Sequence, residues 1–399
     1  DVVTDRPVDD LLFEPLTLPC GAVLANRLVK SAMSDSLGDG RGNPGLGQAR
    51  LYERWAEGGI AATIVGEVQG DPFAAEKPGN LVLGPLSDRA ALTELTRCGS
   101  TGDTIIWAQL GHAGAMTHPP IGTPRGPSAL DMPGLTCAAL TRDEIAALPA
   151  TFARTARMAV EVGFGGVQVH AAHGFLLSQF LSPLFNKRTD AYGGSLSNRM
   201  RLTLEVIAAV RDAVEPSVPV AVKLNATDQL EGGFSEDEAV QVVAALNATS
   251  VDLIDISGGT YFPGAASASD GTAKGAYFLP FAHRARAVTS KPLMLTGGIK
   301  TRAQAVEVLA SGAVDVIGMA RAMVLDPSLP QTWATDGPDP AFPRFDSPPE
   351  GGITAWYTMR LTALSRDEAG PAPEDLSAMV DLYETRDAER AVHWRRQFG

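Results

Sequence analysis

The chain has 399 residues, 45% apolar and 20% charged, a composition that supports a large folded core and argues against a disordered or collagenous chain. Lys and Arg total 33 against 46 Asp and Glu, a formal net charge of −13. With no basic run in the sequence, that balance argues against nucleic acid or an anionic membrane surface as partner, since both demand a cationic face.

Three cysteines, Cys20, Cys98 and Cys137, fit neither a disulfide framework nor a zinc pattern. No apolar run approaches the roughly 18 residues needed to cross a bilayer. The acidic start from Asp1 to Asp5 is not a signal peptide. It lacks an initiator Met, so a few residues are expected before it, and a reducing, cytoplasmic setting is expected.

In chain order, Leu16–Leu18 and Val23–Leu24 flank Pro19-Cys20-Gly21-Ala22. They read as a small hairpin closing the bottom of the fold. Then come eight short, near-continuous apolar runs: Arg27–Met33, Ile60–Glu67, Thr104–Leu110, Gly166–His170, Val218–Leu224, Leu253–Ser257, Pro292–Thr296 and Val314–Gly318. Such runs suit parallel strands buried on both faces. Helical patterns separate them. Ala49–Glu57 spaces Leu51, Tyr52 and Trp55 along one face, and Thr141–Val162 opens on the capping box Thr141-Arg142-Asp143-Glu144. Asn198–Val214, Ser235–Asn247, Phe281–Val288 and Arg302–Ala310 follow.

This alternation predicts an α/β (β/α)8 TIM barrel. A doubly wound sheet would want a glycine-rich nucleotide loop after its first strand. None is present, and Gly45-Leu46-Gly47 runs into Gln48-Ala49-Arg50. Residues 1–330 are assigned to the barrel. Residues 331–399 are assigned to a linker, Thr332–Glu350, and a helical C-terminal extension, Ile353–Ser365 and Pro373–His393, packed on the barrel or on a partner subunit of a homo-oligomer.

In such a barrel, polar residues at the C-terminal strand ends carry function. The runs deliver Ser34, Glu67, Gln109 with His112, His170 with His173, Lys223 with Asn225, Ser257, Thr296 and Arg321. Gly297-Gly298 after the seventh run and Ala320-Arg321 after the eighth read as a phosphate site: bare glycines let backbone N–H groups approach an anion, and Arg321 adds charge. The pair His170 and His173 can bind a metal, act as acid and base, or donate hydrogen bonds to a substrate oxygen. Lys223 can also form a Schiff base, as in an aldolase-like lyase.

The fourth run continues His170-Ala171-Ala172-His173-Gly174-Phe175-Leu176-Leu177-Ser178-Gln179-Phe180-Leu181-Ser182-Pro183, then Asn186-Lys187-Arg188-Thr189-Asp190 and Tyr192-Gly193-Gly194-Ser195. This string resembles the old yellow enzyme family of FMN-dependent oxidoreductases. Asn26-Arg27, Tyr52 to Gly59, Gln109-Leu110 with His112-Ala113-Gly114, and Gly297-Gly298 with Ala320-Arg321 extend the likeness from about Leu12 to Pro327. The resemblance implies FMN as cofactor and NADH or NADPH as reductant of a small-molecule substrate. The backbone of Ala32 and Met33 would line the flavin ring, Ser34 would touch it, Gln109 would bond its pyrimidine side, and Lys223 would stand as the cation near N1 and O2. Gly297, Gly298, Ala320 and Arg321 would hold the phosphate. His170 and His173 would bind the carbonyl oxygen of an electron-poor alkene while hydride passes to its β-carbon.

Three positions depart from the family pattern. Ser34 stands where Thr or Cys is common, and its hydroxyl is expected to keep tuning the flavin. Phe175 stands where a Tyr usually protonates the α-carbon, and Tyr261 is the expected replacement acid. Glu67 stands where a small residue is common, and its backbone is expected to face the flavin with its side chain elsewhere. The same machinery run backwards would desaturate a ketone.

Overall fold

The computed structural model describes residues 8–262, 265 and 275–399. All eight apolar runs are strands: β1 (Leu28–Ser34), β2 (Ala62–Gln69), β3 (Ile105–Gly111), β4 (Gly166–Ala171), β5 (Val220–Asn225), β6 (Leu253–Ser257), β7 (Leu293–Thr296) and β8 (Val316–Met319). Each pairs in parallel with its sequence neighbours, and β8 pairs with β1, which closes the barrel. The helices are α1 (Gln48–Glu57), α2 (Arg89–Gly99), α3 (Arg142–Glu161), α4 (Leu176–Leu181), α5 (Leu196–Ala213), α6 (Glu236–Asn247), α7 (Leu279–Arg286), α8 (Arg302–Ala310), α9 (Arg321–Leu325), α10 (Leu329–Ala334), α11 (Gly352–Leu364) and α12 (Leu376–Phe398). The capping box at Thr141 and Glu144 is formed, and Ser235 and Thr301 cap α6 and α8 in the same way. Several elements differ from expectation, among them the short helices α4 and α9. Helix α2 follows β2 where no helix is expected, and α10 carries helix through Thr332–Ala334 into the segment expected to be linker.

Strand alternation sorts the side chains into layers. The outward residues Val167, Val169, Val220 and Val222 join the core beneath the helices. The lowest inward residues, Val29, Ala62, Trp107, Ala221, Leu253 and Met294, form a separate apolar plug with Leu18 and Leu24. Those two leucines belong to the expected hairpin, Leu16–Thr17 paired with Val23–Leu24, which seals the barrel bottom. Trp107 fills the plug because Gly166 faces it without a Cβ. Chemistry is therefore confined to the upper end.

The C-terminal extension lies across that end. Trp394 Nε1 donates to Pro72 O at 2.9 Å and Arg395 Nη1 to Pro120 O at 2.9 Å, pinning α12 over the loops after β2 and β3. Arg390 binds Ser36 O, and Arg360 Nε on α11 donates to Val324 O at 3.2 Å. Among the described residues no helix is long and apolar enough to cross a membrane, and all three cysteines are free.

Candidate active site

One layer above the plug the inward side chains turn polar, and they form a continuous belt. Gln109 Nε2 on β3 donates to Gln168 Oε1 on β4 at 2.9 Å, and Gln168 Nε2 donates to Asp255 Oδ2 on β6 at 3.1 Å. Asp255 Oδ1 accepts from Thr296 Oγ1 at 2.8 Å, which lies 2.9 Å from Ser31 Oγ on β1. Lys223 Nζ on β5 stands 3.7 Å from Asp255 Oδ2, with both side chains buried. Buried charge persists only when paired and hydrogen-bonded, and the belt supplies both, so this floor is rigid.

The next layer holds the histidines. His170 leaves β4 pointing up, and its Nδ1 accepts the Ala172 N–H at 3.3 Å. Its Nε2 therefore carries the ring proton and faces the cavity. His173 has φ of 61°, a left-handed conformation that costs a non-glycine residue about 1–2 kcal/mol. Its N–H bond to Asn225 Oδ1 at 3.0 Å and its carbonyl bond from Tyr261 N at 3.0 Å hold it there. The two rings meet edge to face at 5.3 Å. Burial pushes both histidines well below their ordinary pKa, and Lys223 adds to the effect, so both are neutral at pH 7. His173 Nε2 lies 2.9 Å from Ser257 Oγ.

Aromatic groups flank the pair. Phe175 caps the start of α4, with its buried ring 5.1 Å from His170. Tyr261 packs 5.3 Å from His173 and 5.8 Å from Phe175 and is 53% exposed.

Glu67 differs from expectation: its side chain turns into the site. Oε2 accepts from Gln69 Nε2 at 3.0 Å and Oε1 lies 3.5 Å from His170 Nε2. Burial, then the neighbouring carboxylate Glu76, hold its pKa well above the usual range against the opposing pull of Gln69 and Lys223.

Ala32, Met33, Ser34, Glu67, Gln109, His170, His173, Phe175, Lys223, Tyr261, Gly297, Gly298, Ala320 and Arg321 all border one cavity of about 1540 Å³. His112 is held apart, its Nδ1 accepting from Gly114 N at 2.9 Å. Among the described residues no three His, Cys, Asp or Glu side chains converge to hold a metal. Tyr383 and Asp387 of α12 also line the cavity. Two loops rise beside the cavity, 117–133 after β3 and 261–279 after β6. The first contributes Arg125–Gly126 and Leu130–Met132 to a small sheet with Leu135–Ala139, and residues 263, 264 and 266–274 of the second lie outside the described residues.

A family model described as the NADH:flavin oxidoreductase / NADH oxidase family matches residues 11–339. The chain belongs to this family, that of the old yellow enzymes. It is 34% identical to the "NADH-dependent flavin oxidoreductase iliE" of Neonectria sp. (strain DH2), over 88% of this chain and 50% of that protein. It is 33% identical to the protein of the same name from Hypocrea jecorina (strain QM6a), over 80% of this chain and 87% of the relative. The chain thus spans about half the length of the first relative and most of the second. The solved old yellow enzyme homologue from Zymomonas mobilis superposes with a TM-score of 0.72 at 24% identity, over 82% of this chain and 93% of the other, a likeness of fold.

The cofactor of this old yellow enzyme family is FMN, and the cavity suits it. FMN has a flat ring edged with hydrogen-bonding groups, negative when reduced, and a phosphate tail. Gln109 and Lys223 offer an amide and a cation on the floor. Gly297 and Gly298 turn with φ of 121° and 76° where Tyr277 and Gly275 leave no room for a Cβ, and Arg321 lies across from Tyr357 at 4.9 Å from its ring. Gln168, Asp255, Ser31 and Gln69 escaped the sequence reading. Gln168 and Asp255 sit two residues before His170 and Ser257, on the same inward parity, so a polar residue two steps below each strand-end group was the available signal.

Proposed function

We propose that the chain reduces an electron-poor alkene conjugated to a carbonyl, using NADH or NADPH, in the cavity beneath His170 and His173. The observation carrying this reading is the neutral histidine pair, N–H on His170 Nε2, bordering the same cavity as Gln109, Lys223 and the Gly297-Gly298 turn. FMN, held by Gln109, Lys223 and the Gly297-Gly298 turn, would supply hydride-transfer chemistry there.

Chain residues do the rest. A neutral N–H donor stabilises the oxygen as it gains negative charge without surrendering a proton, and it is already oriented before reaction. Lys223, held by Asp255, places positive charge on the floor where reduced flavin is anionic. Ala32, Met33 and Ser34 present backbone and a hydroxyl to the ring. Glu67 presents its side chain to the substrate side. Gly297, Gly298, Ala320 and Arg321 hold the phosphate. Phe175 fills the usual proton-donor position with hydrocarbon, and Tyr261 walls the substrate space with its body half open to water. The lyase alternative is weakened because the Lys223 ammonium is buried in an ion pair.

Incubating the holoprotein with NADH or NADPH and a cyclohexenone-type substrate tests the reading. Saturated ketone by mass spectrometry, with matching nicotinamide consumption, is the expected result. Nicotinamide oxidation without alkene reduction, or conversion of a saturated ketone to its enone, would contradict it.

A further inference from the structure

The hydride step leaves a proton unaccounted for, and the chain has no phenol at the position of Phe175. The carboxyl that stands beside the carbonyl site is that of Glu67. Its carboxyl lies at the end of β2, buried, with Oε1 3.5 Å from the His170 Nε2 that binds the substrate oxygen in the reading above. The α-carbon of a bound enone is two bonds from that oxygen, which brings it to the neighbourhood of a carboxyl 3.5 Å from the oxygen's donor.

The surroundings are shaped for this side chain. Gly111 on β3 faces it, and a Cβ there would lie 2.4 Å from Glu67 Oε2. Gln69 Nε2 donates to Oε2 at 3.0 Å, fixing the carboxyl plane and leaving Oε1 toward His170. No arginine or lysine pairs with it within ion-pair distance among the described residues. The titratable groups around it are Glu76 from the loop after β2, Lys223 from β5, and His170 with His173 behind it. Burial and Glu76 favour its protonated form, which is the form an acid needs.

We propose that the carboxyl of Glu67 protonates the α-carbon, in place of the phenol that Phe175 lacks. This rests on the alkene-reductase reading. Hydride addition to the β-carbon leaves the carbonyl and α-carbon as an enolate. The Glu67 O–H bond breaks as the α-carbon C–H bond forms, the enolate returns to a ketone, and the carboxylate left behind takes a proton from water. No further oxidant or reductant enters.

The test compares wild type, Glu67→Gln and Glu67→Asp holoproteins. Reduction of an α-methyl cyclohexenone in D2O gives wild-type product with deuterium at the α-carbon on one face. Glu67→Gln, which keeps the shape and loses the acid, is expected to slow turnover on the order of a hundredfold, to scramble the deuterated face and to lose the fall in rate expected of wild type as pH rises. Glu67→Asp is expected to restore part of both. Independently of turnover, infrared spectra at neutral pH should show a protonated carboxyl band in wild type that is missing from Glu67→Gln.

Unchanged rate and stereochemistry in a folded, flavin-loaded Glu67→Gln would overturn the proposal while leaving the reductase reading intact. So would an absent carboxyl band, or stereochemistry lost in Tyr261→Phe and kept in Glu67→Gln. A wild type that passes no hydride to enones would remove the reductase reading, and the acid role with it.

Discussion

Phe175 and Glu67 exchange the properties usual at their positions: hydrocarbon where an acid is common, and an acid where a small residue is common. They flank the same ring, at 5.1 Å between the Phe175 and His170 centroids and 3.5 Å from Glu67 Oε1 to His170 Nε2. Phe175→Tyr placed into Glu67→Gln should therefore recover turnover by tenfold or more, within the range a positioned acid supplies. No recovery in steady-state rates would break that link. Lys223→Met removes the cation 3.7 Å from Asp255 and leaves that carboxylate unpaired on the floor. The flavin midpoint potential should fall by on the order of tens of millivolts, given about 4 kcal/mol for a charge pair near 4 Å at an effective dielectric of 20. Dye-coupled redox titration measures it, and an unchanged or raised potential would remove Lys223 from the flavin site. The place of His170, His173 and Lys223 beside the cavity was legible because each lies at or near the C-terminal end of its strand. The Glu67 side chain was not, because its direction depends on a register shift between Val65 and Val68 where β2 pairs with β3. Simple alternation does not carry through such an irregularity.

Elements were more legible than contacts. The eight strands announce themselves because both of their faces are buried, so their apolar runs are unbroken. Helix α2 passed unnoticed although its N-cap Asp88 accepts from Ala91 N: Leu92 and Leu95 are its only large aliphatic side chains, too few to announce a helix by periodicity. Strand β1 also carries Lys30 outward beneath α1, with Nζ 2.9 Å from Ile64 O and 4.6 Å from the Trp55 ring centroid. Burial, with Lys223 as a lesser cause and Asp35 opposing, lowers its pKa to about 7. A lysine depressed in the fold contributes stability that is present above its unfolded pKa and lost as pH falls toward the folded one. The wild type should therefore lose ground to Lys30→Met between about pH 10 and pH 7, by roughly 1.4 kcal/mol per unit at most. Denaturant melts across that window giving a constant difference would contradict the shift. At the barrel bottom, Gly166→Ala sets a Cβ 2.6 Å from Trp107 Nε1 and should cost about 1–3 kcal/mol by overpacking, read from the same melts.

At the scale of the whole molecule, the barrel supplies the floor and the C-terminal extension supplies part of the wall. Trp394, buried to 1% exposure, anchors α12 through its bond to Pro72 O, while Tyr383 and Asp387 on the same helix border the cavity. Trp394→Ala should cost about 3–5 kcal/mol locally. Faster amide exchange in α12 and a raised substrate KM with a lesser change in kcat are expected, and protection equal to wild type would show that the helix is held by other means. The sequence placed helices at residues 353–393 but offered no sign of where they dock, because packing partners distant in the chain leave no local periodicity.

The central claim is that hydride leaves this protein for the β-carbon of an enone. Its most direct test is anaerobic stopped-flow mixing of the reduced holoprotein with cyclohexenone, followed through flavin absorbance near 450 nm, roughly where oxidised flavins absorb. Return of that band is expected at a rate that saturates with enone and drops sharply in His170→Ala. Flavin that stays bleached with enone, yet becomes bleached when the oxidised protein meets cyclohexanone, would contradict it.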